Sequence, residues 1–172
     1  MAVACAAQGN AVELVYPPYG LPWEQWEVKY NNYKSYSSTS GKTRDIVICR
    51  DDNNMYIMGI FSKYPTAWIK GTIDGSKLQI DTEQFIGKMG MYFYCGSFDR
   101  LWSDGNTYEI DEYTFKSDSA YGAFTISEDG KLMTADNEAT SFWYNLEGCG
   151  NVVFWKHRDL YYTQTDEYWV ET

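Results

Sequence analysis

Along most of this chain, short apolar runs alternate with polar residues at a period of two, and tight-turn dipeptides punctuate them. In residues 26–30, Trp26, Val28 and Tyr30 fall on one side and Glu27 and Lys29 on the other, the signature of a half-buried strand. Residues 106–116 alternate similarly, with one slip near Glu112 that reads as a bulge. Residues 55–61 are apolar on both faces, which predicts a strand covered on both sides or a barrel wall over a filled interior. Asp74-Gly75, Asp104-Gly105 and Asp129-Gly130 each stand between apolar stretches and supply the positive φ of a tight hairpin. The polar stretch 31–42 predicts a loop or frayed hairpin tip. No window of a dozen residues keeps a helical period, so almost no helix is expected; a helical turn over 82–86 is the best candidate.

Many short, locally connected strands predict an antiparallel meander. The expected fold is all-β, a meander closing into a barrel, with a two-sheet sandwich as the alternative. Residues 1–22 carry three of the four prolines and read as an extended tether, leaving 23–172 as a single β domain. Thr72–Leu78 and Thr125–Leu132 echo each other around their Asp-Gly turns, which hairpin chemistry explains without duplication.

Composition narrows the function classes. Net charge is −10, from 24 acidic against 14 basic residues, and no basic run is present, so nucleic acid is not an expected partner. No stretch has the apolar length of a membrane helix. The four cysteines form no C-x-x-C pair, so a zinc knuckle is not expected. Cys49 and Cys95 read as buried strand thiols and Cys149, between two glycines, as a turn residue; in an oxidising compartment one disulfide could form, with partners that spacing does not choose. Met1–Cys5 is most plainly an Ala-rich start. Read instead as the end of a bacterial lipobox, it would make Cys5 the lipid anchor.

One block resembles a known family. Residues 55–61, the run Tyr64-Pro65-Thr66-Ala67-Trp68-Ile69-Lys70-Gly71-Thr72-Ile73-Asp74-Gly75 and then Gln84–Gly87 resemble an uncharacterised β-rich family of secreted or lipid-anchored Bacteroidetes proteins. The entry segment Pro17-Pro18-Tyr19-Gly20-Leu21 with Trp26 is similar to the same family. The resemblance covers roughly residues 15 to 98. It implies a secreted or outer-surface lipoprotein and a calycin-like β-barrel or sandwich, and it brings no catalytic residues with it.

Catalytic chemistry is thin. His157 is the only histidine, so no multi-histidine metal site forms from this chain alone, and it sits where a solvated histidine would. Glu109 and Asp111 share a strand face and could form a glycosidase pair, but their alternation with Tyr108 and Ile110 is that of a solvent face. Asp51-Asp52-Asn53-Asn54 lacks the register of a calcium loop and reads as a turn. No metal or cofactor is expected. The aromatic side chains carry the binding reading: Trp102, beside Asp99 and Arg100, and Trp68, after a proline turn, could stack sugar rings while charged neighbours bind hydroxyls. The expected function is a non-enzymatic, exported binding module for a glycan or small apolar ligand. The alternative is a structural or protein-interaction module of the bacterial cell surface, with a carboxylate-dependent hydrolase ranked last.

Overall fold

The computed structural model describes residues 13–34, 37–87, 91–100, 107–110, 113–144, 147–156, 161–164 and 169–171. Strands β1 (Trp23–Lys34), β2 (Ser37–Arg50), β3 (Asn54–Met58), β4 (Trp68–Asp74) and β5 (Lys77–Ile80) form an antiparallel meander. Strand β6 (Gln84–Phe85), β7 (Tyr92–Arg100), β8 (Thr107–Ile110) and β9 (Tyr113–Ser117) leave the meander, and a 3₁₀ turn at Ser119–Gly122 returns the chain to it. Strands β10 (Ala123–Ile126) and β11 (Leu132–Ala135) then extend the wall from β5. Strand β12 (Ser141–Tyr144) leads into β13 (Glu147–Trp155), and β14 (Tyr161–Gln164) and β15 (Trp169–Glu171) follow.

The wall closes because β13 pairs with β11 on one edge and with β1 on the other. The result is an eight-stranded antiparallel barrel in the order β1-β2-β3-β4-β5-β10-β11-β13, with the remaining strands outside it. Closure removes the free edges that an open meander would leave. The barrel is thus the architecture adopted, and the sandwich alternative is set aside.

Period two decides what points inward. Trp26 and Val28 on β1, Ile46 and Ile48 on β2, Met55 and Ile57 on β3 and Ile69 on β4 face the interior with Leu78, Ile80, Phe124, Met133 and Phe154, each no more than 3% exposed. Gly71 faces inward where a Cβ would stand 2.7 Å from Leu78 Cδ1 and 2.9 Å from the Gln79 carbonyl oxygen, so no larger residue fits. The two-faced run 55–61 behaves as its pattern predicts. Met55 and Ile57 fill the barrel, while Tyr56 faces out into a second cluster with Cys49 and Trp68. That cluster is covered by Val15 and Leu21, and Val15 makes an isolated bridge to Trp68.

Three local expectations differ from the structure. The polar stretch 31–42 is paired ribbon on both sides of residues 35–36: Asn32 opposes Thr39 and Tyr33 opposes Ser38. Its far flank is also held, because Gly148–Gly150 of β13 pair with Tyr33–Asn31. Backbone pairing on both edges overrides weak side-chain propensity. Residues 82–86 contain β6 rather than a helical turn; the Gln84 side chain accepts from Lys70 N and donates to Lys70 O, docking that segment on β4. Cys149 lies within β13, not in a turn. Its flanking glycines serve close packing: a Cβ on Gly148 would stand 2.1 Å from Phe98 Cζ, and one on Gly150 would stand 2.1 Å from Tyr33 Cε2. Those two rings stack on each other at 4.4 Å.

Cys49, Cys95 and Cys149 are all free and buried. Cys95 and Cys149 both oppose Phe142 of the intervening strand, so two strand spacings, roughly 10 Å, separate them, beyond disulfide reach.

Candidate functional site

Alternation along a closed barrel also dictates where charges go when they fall in phase with the core. Glu24 is in phase with Trp26 and Val28, Arg50 and Arg44 with Ile48 and Ile46, and Lys156 with Phe154. Glu24, Arg50 and Lys156 stand at the ends of their strands, and Arg44 stands midway along β2, opposite Val28.

At one end the β2–β3 turn, the β4–β5 hairpin and the β10–β11 hairpin surround a mouth. The mouth holds a cavity of about 600 Å³ lined by Glu24 and Arg50, by Ile73 and Ile126, and by the turn residues Asp51, Asp52, Ser76, Ser127 and Glu128. Its size lies within the ~300–1,000 Å³ typical of small-ligand sites. Two of the Asp-Gly turns read from the sequence build this rim. Gly75 (φ 63°) permits the two-residue β4–β5 loop, and Gly130 (φ 73°) permits the β10–β11 turn, where Asp129 accepts from Ser127 Oγ at 2.6 Å and from Lys131 N at 3.0 Å. On the third side Asp51 Oδ1 accepts from Asn53 N and Asn54 N, each at 2.8 Å. Those bonds hold the Asp51 carboxyl below its ordinary range, and the Ser127 bond does the same for Asp129.

The floor is an ion cluster. Glu24 accepts from Trp26 Nε1 at 3.0 Å, from Arg50 Nε at 3.3 Å and from Lys156 Nζ at 3.4 Å. Lys156 is buried, and Arg50 lies 5.9 Å over the Trp26 ring. Arg50 spends only Nε on the protein. Its two terminal nitrogens make no hydrogen bond among the described residues, and Nη2 reaches across the mouth to within 3.6 Å of where a Cβ on Gly130 would stand.

The opposite end is sealed. Arg44 donates to the Ile60 carbonyl and, through Nη2, to the Tyr30 hydroxyl at 2.8 Å, and it lies 3.9 Å from Glu147. Glu147 Oε1 accepts from Ser62 N and Ser62 Oγ, both at 3.0 Å. This latch pins the β3–β4 loop against β13. Behind it Phe61 and Tyr144 pack at 4.4 Å, and Tyr64 meets Tyr144 edge-on at 5.5 Å. The Tyr144 hydroxyl has no hydrogen-bond partner among the described residues, and its pKa is raised by burial first and by Glu147 second. Burial likewise pushes the Cys149 thiol up to about 12.

The residues singled out from the sequence lie elsewhere. Trp68 faces out from β4 at 6% exposure, edge-on to Trp23 at 5.4 Å, and it lines a groove of about 290 Å³ with Leu14, Tyr16, Tyr64 and Ile86. Asp99 sits on β7 in the strands outside the barrel, where its carbonyl accepts from Thr114 Oγ1 at 3.3 Å. Arg100 ends the same strand, opposite Tyr113. Trp102, His157, Asp111 and Cys5 lie outside the described residues. Trp68 and Asp99 therefore belong to separate parts of the structure and share none of the cavities described above. The mouth residues Glu24, Arg50 and Lys156 escaped sequence reading, although one signal marks them: each is a charge in phase with an apolar stripe. No family model, curated protein or solved structure matches the chain, and of the family resemblance the structure supports the all-β, eight-stranded antiparallel barrel.

Proposed function

We propose that this protein is a non-enzymatic binding module that receives one end of a glycan in the barrel mouth. The observation that carries this reading is Arg50, whose unspent terminal nitrogens extend across an open cavity. The sealed end supplies the contrast, since there both terminal nitrogens of Arg44 are spent on Ile60 and Tyr30. A sugar suits the mouth's chemistry. Ile73 and Ile126 offer apolar wall to its C–H faces, and Ser76, Ser127 and the rim carboxylates offer partners to its hydroxyls. A purely apolar ligand fits less well, because it would strand the charged floor without water. Hydrolysis is disfavoured by the occupancy of Glu24, which three donors already hold.

The test is a thermal-shift titration with neutral and acidic mono- and disaccharides, using Ser76→Trp to fill the mouth. Ser76 is exposed at the hairpin tip, so the substitution adds bulk without removing packing. At a hundred times Kd, a bound sugar stabilises by about 2.7 kcal/mol, a rise of roughly 5–11 °C. The wild type should show that rise and Ser76→Trp should lose it while melting normally alone. A flat response to every saccharide, or an undiminished response in Ser76→Trp, overturns the reading.

A further inference from the structure

We propose that Asp74-Gly75, on the rim of the barrel mouth, is a self-modification site, where the Gly75 backbone nitrogen closes on the Asp74 carboxyl and the chain is converted to isoaspartate. In the closing step a bond forms between that nitrogen and the carboxyl carbon. The amide proton and the hydroxyl of the carboxylic acid leave together as water, and a five-membered succinimide remains. Solvent water then opens one of the two ring carbonyls. One opening restores aspartate. The other leaves the main chain running through the former side-chain carbonyl, so the backbone gains one methylene and the α-carboxyl becomes the side group. Water lost in the first step is regained in the second, and nothing is oxidised or reduced.

Asp74-Gly75 and Asp129-Gly130 are alike in sequence, and the fold treats them differently. At Asp129-Gly130 both reacting groups are held. The Asp129 carboxylate accepts from Ser127 Oγ at 2.6 Å and from Lys131 N at 3.0 Å, and the Gly130 amide donates to the Ser127 carbonyl at 2.9 Å. The Ser127 bond first, and the Lys131 amide second, also hold that carboxyl below its ordinary range, and the ionised form is the poorer electrophile. At Asp74-Gly75 neither group is held. The Asp74 carboxyl makes no hydrogen bond or ion pair among the described residues. Lys77, which faces it across the hairpin, is engaged instead with Thr125 Oγ1 at 2.7 Å and Asp136 at 3.0 Å. The Gly75 amide makes no hydrogen bond among the described residues, and nothing lies within 4 Å of where a Gly75 Cβ would stand. Both residues are exposed, and Asp74 is the last rung of the β4–β5 ladder, where local opening costs least. The product falls where the rim is joined. The neighbouring Ser76 carbonyl accepts from Ile126 N at 2.7 Å, tying this hairpin to β10, and the extra methylene lengthens the loop beside that bond.

Prolonged incubation of the full chain at pH 6 in water labelled with heavy oxygen, once folded and once in urea, tests this. Each passage through the succinimide brings in one solvent oxygen. Tryptic peptides made afterwards in ordinary water separate the sites: residues 71–77 carry Asp74 as their only aspartate, and residues 117–131 carry Asp129. Electron-transfer fragmentation locates the isoaspartate within each. In the folded protein Asp74 should take up label at least about tenfold faster than Asp129, which must first give up a charge-assisted hydrogen bond. In urea the two rates should converge. Ser127→Ala should speed Asp129 severalfold in the folded protein and leave Asp74 unchanged. Equal uptake at the two sites in the folded chain overturns the proposal, as does an unlabelled Asp74 while the chain in urea labels. A ratio that persists in urea overturns the argument that the fold selects the site.

Discussion

Removing Glu24 tests whether the floor of the mouth is one coupled unit. Glu24→Leu withdraws the carboxylate that Trp26 Nε1, Arg50 Nε and Lys156 Nζ all address. Arg50 retains access to the cavity and can rehydrate, its side chain being 27% exposed. Lys156 is less accessible to water, its side chain being 3% exposed. Breaking a buried ion pair from one side costs about 3–5 kcal/mol, because the remaining charge is left in a poorly solvated place. For a chain of this size each kcal/mol moves the melting temperature by ~2–4 °C, so the expected loss is roughly 6–20 °C.

The companion variant decides the cause. Lys156→Met in the wild-type background leaves Glu24 with Trp26 and Arg50 and should cost less. Combined with Glu24→Leu, it removes the buried ammonium that has lost its Glu24 contact and should recover part of the loss, since an apolar pair of similar volume is tolerated where a broken buried ion pair is not. Urea denaturation of the four proteins gives the cycle. A coupling above ~0.5 kcal/mol, with the double variant more stable than Glu24→Leu alone, is expected. Additive losses would refute the argument, as would a Glu24→Leu protein within ~1 kcal/mol of wild type.

Further outcomes follow from other parts of the barrel. Gly148→Ala should destabilise by about 1–3 kcal/mol in urea, because the new methyl meets the Phe98 ring, and Phe98→Leu in the same chain should recover part of the loss. In a Cys5→Ser background, Cys49, Cys95 and Cys149 should resist a thiol reagent at pH 8 until the protein unfolds, since burial raises all three thiols, Cys49 to about 12; rapid labelling of the native protein would contradict this. Asp136, which accepts from Thr125 Oγ1 and Lys77 Nζ, has its pKa lowered by those two bonds. Its contribution is therefore present above the unfolded value of about 3.9 and fades as pH falls through the folded value, so Asp136→Asn should shrink the stability lost between neutral pH and pH 3. An acid profile unchanged by Asp136→Asn would remove that residue from the account.

Much of the barrel was legible because closed sheets enforce period two over many residues. Trp26, Val28, Tyr56 and Ile57 each point as their alternation requires, and Gly75 and Gly130 turn where Asp-Gly dipeptides place them. The errors arose where local chemistry was outvoted from a distance. Residues 31–34 look like loop in isolation, yet β13 reaches them from more than a hundred positions away and completes their hydrogen bonds. Gly148-Cys149-Gly150 looks like a turn because glycine serves turns, but these glycines are small so that Phe98 and Tyr33 can lie on the strand. Nothing in the sequence near position 149 announces those rings.

The site was less legible for a related reason. An aromatic after a proline turn is a local cue, and it led to Trp68, which is nearly buried and serves to hold the segment around Val15 against the wall. A second cue is a violation of pattern: Glu24, Arg44, Arg50 and Lys156 each carry a charge into a stripe whose other members are core. A charge in phase with a barrel interior has only two places to go, the two ends, and each end then has to be neutralised. The difference lies in how completely. Around Arg44 the loop at Ser62 and the carboxylate of Glu147 consume the donors and close the lid. Around Arg50 three tight turns stop short, and the two terminal nitrogens of the guanidinium make no hydrogen bond among the described residues. Had both ends been sealed alike, the charges would read as stability devices alone. The asymmetry between them is what the proposed binding role rests on.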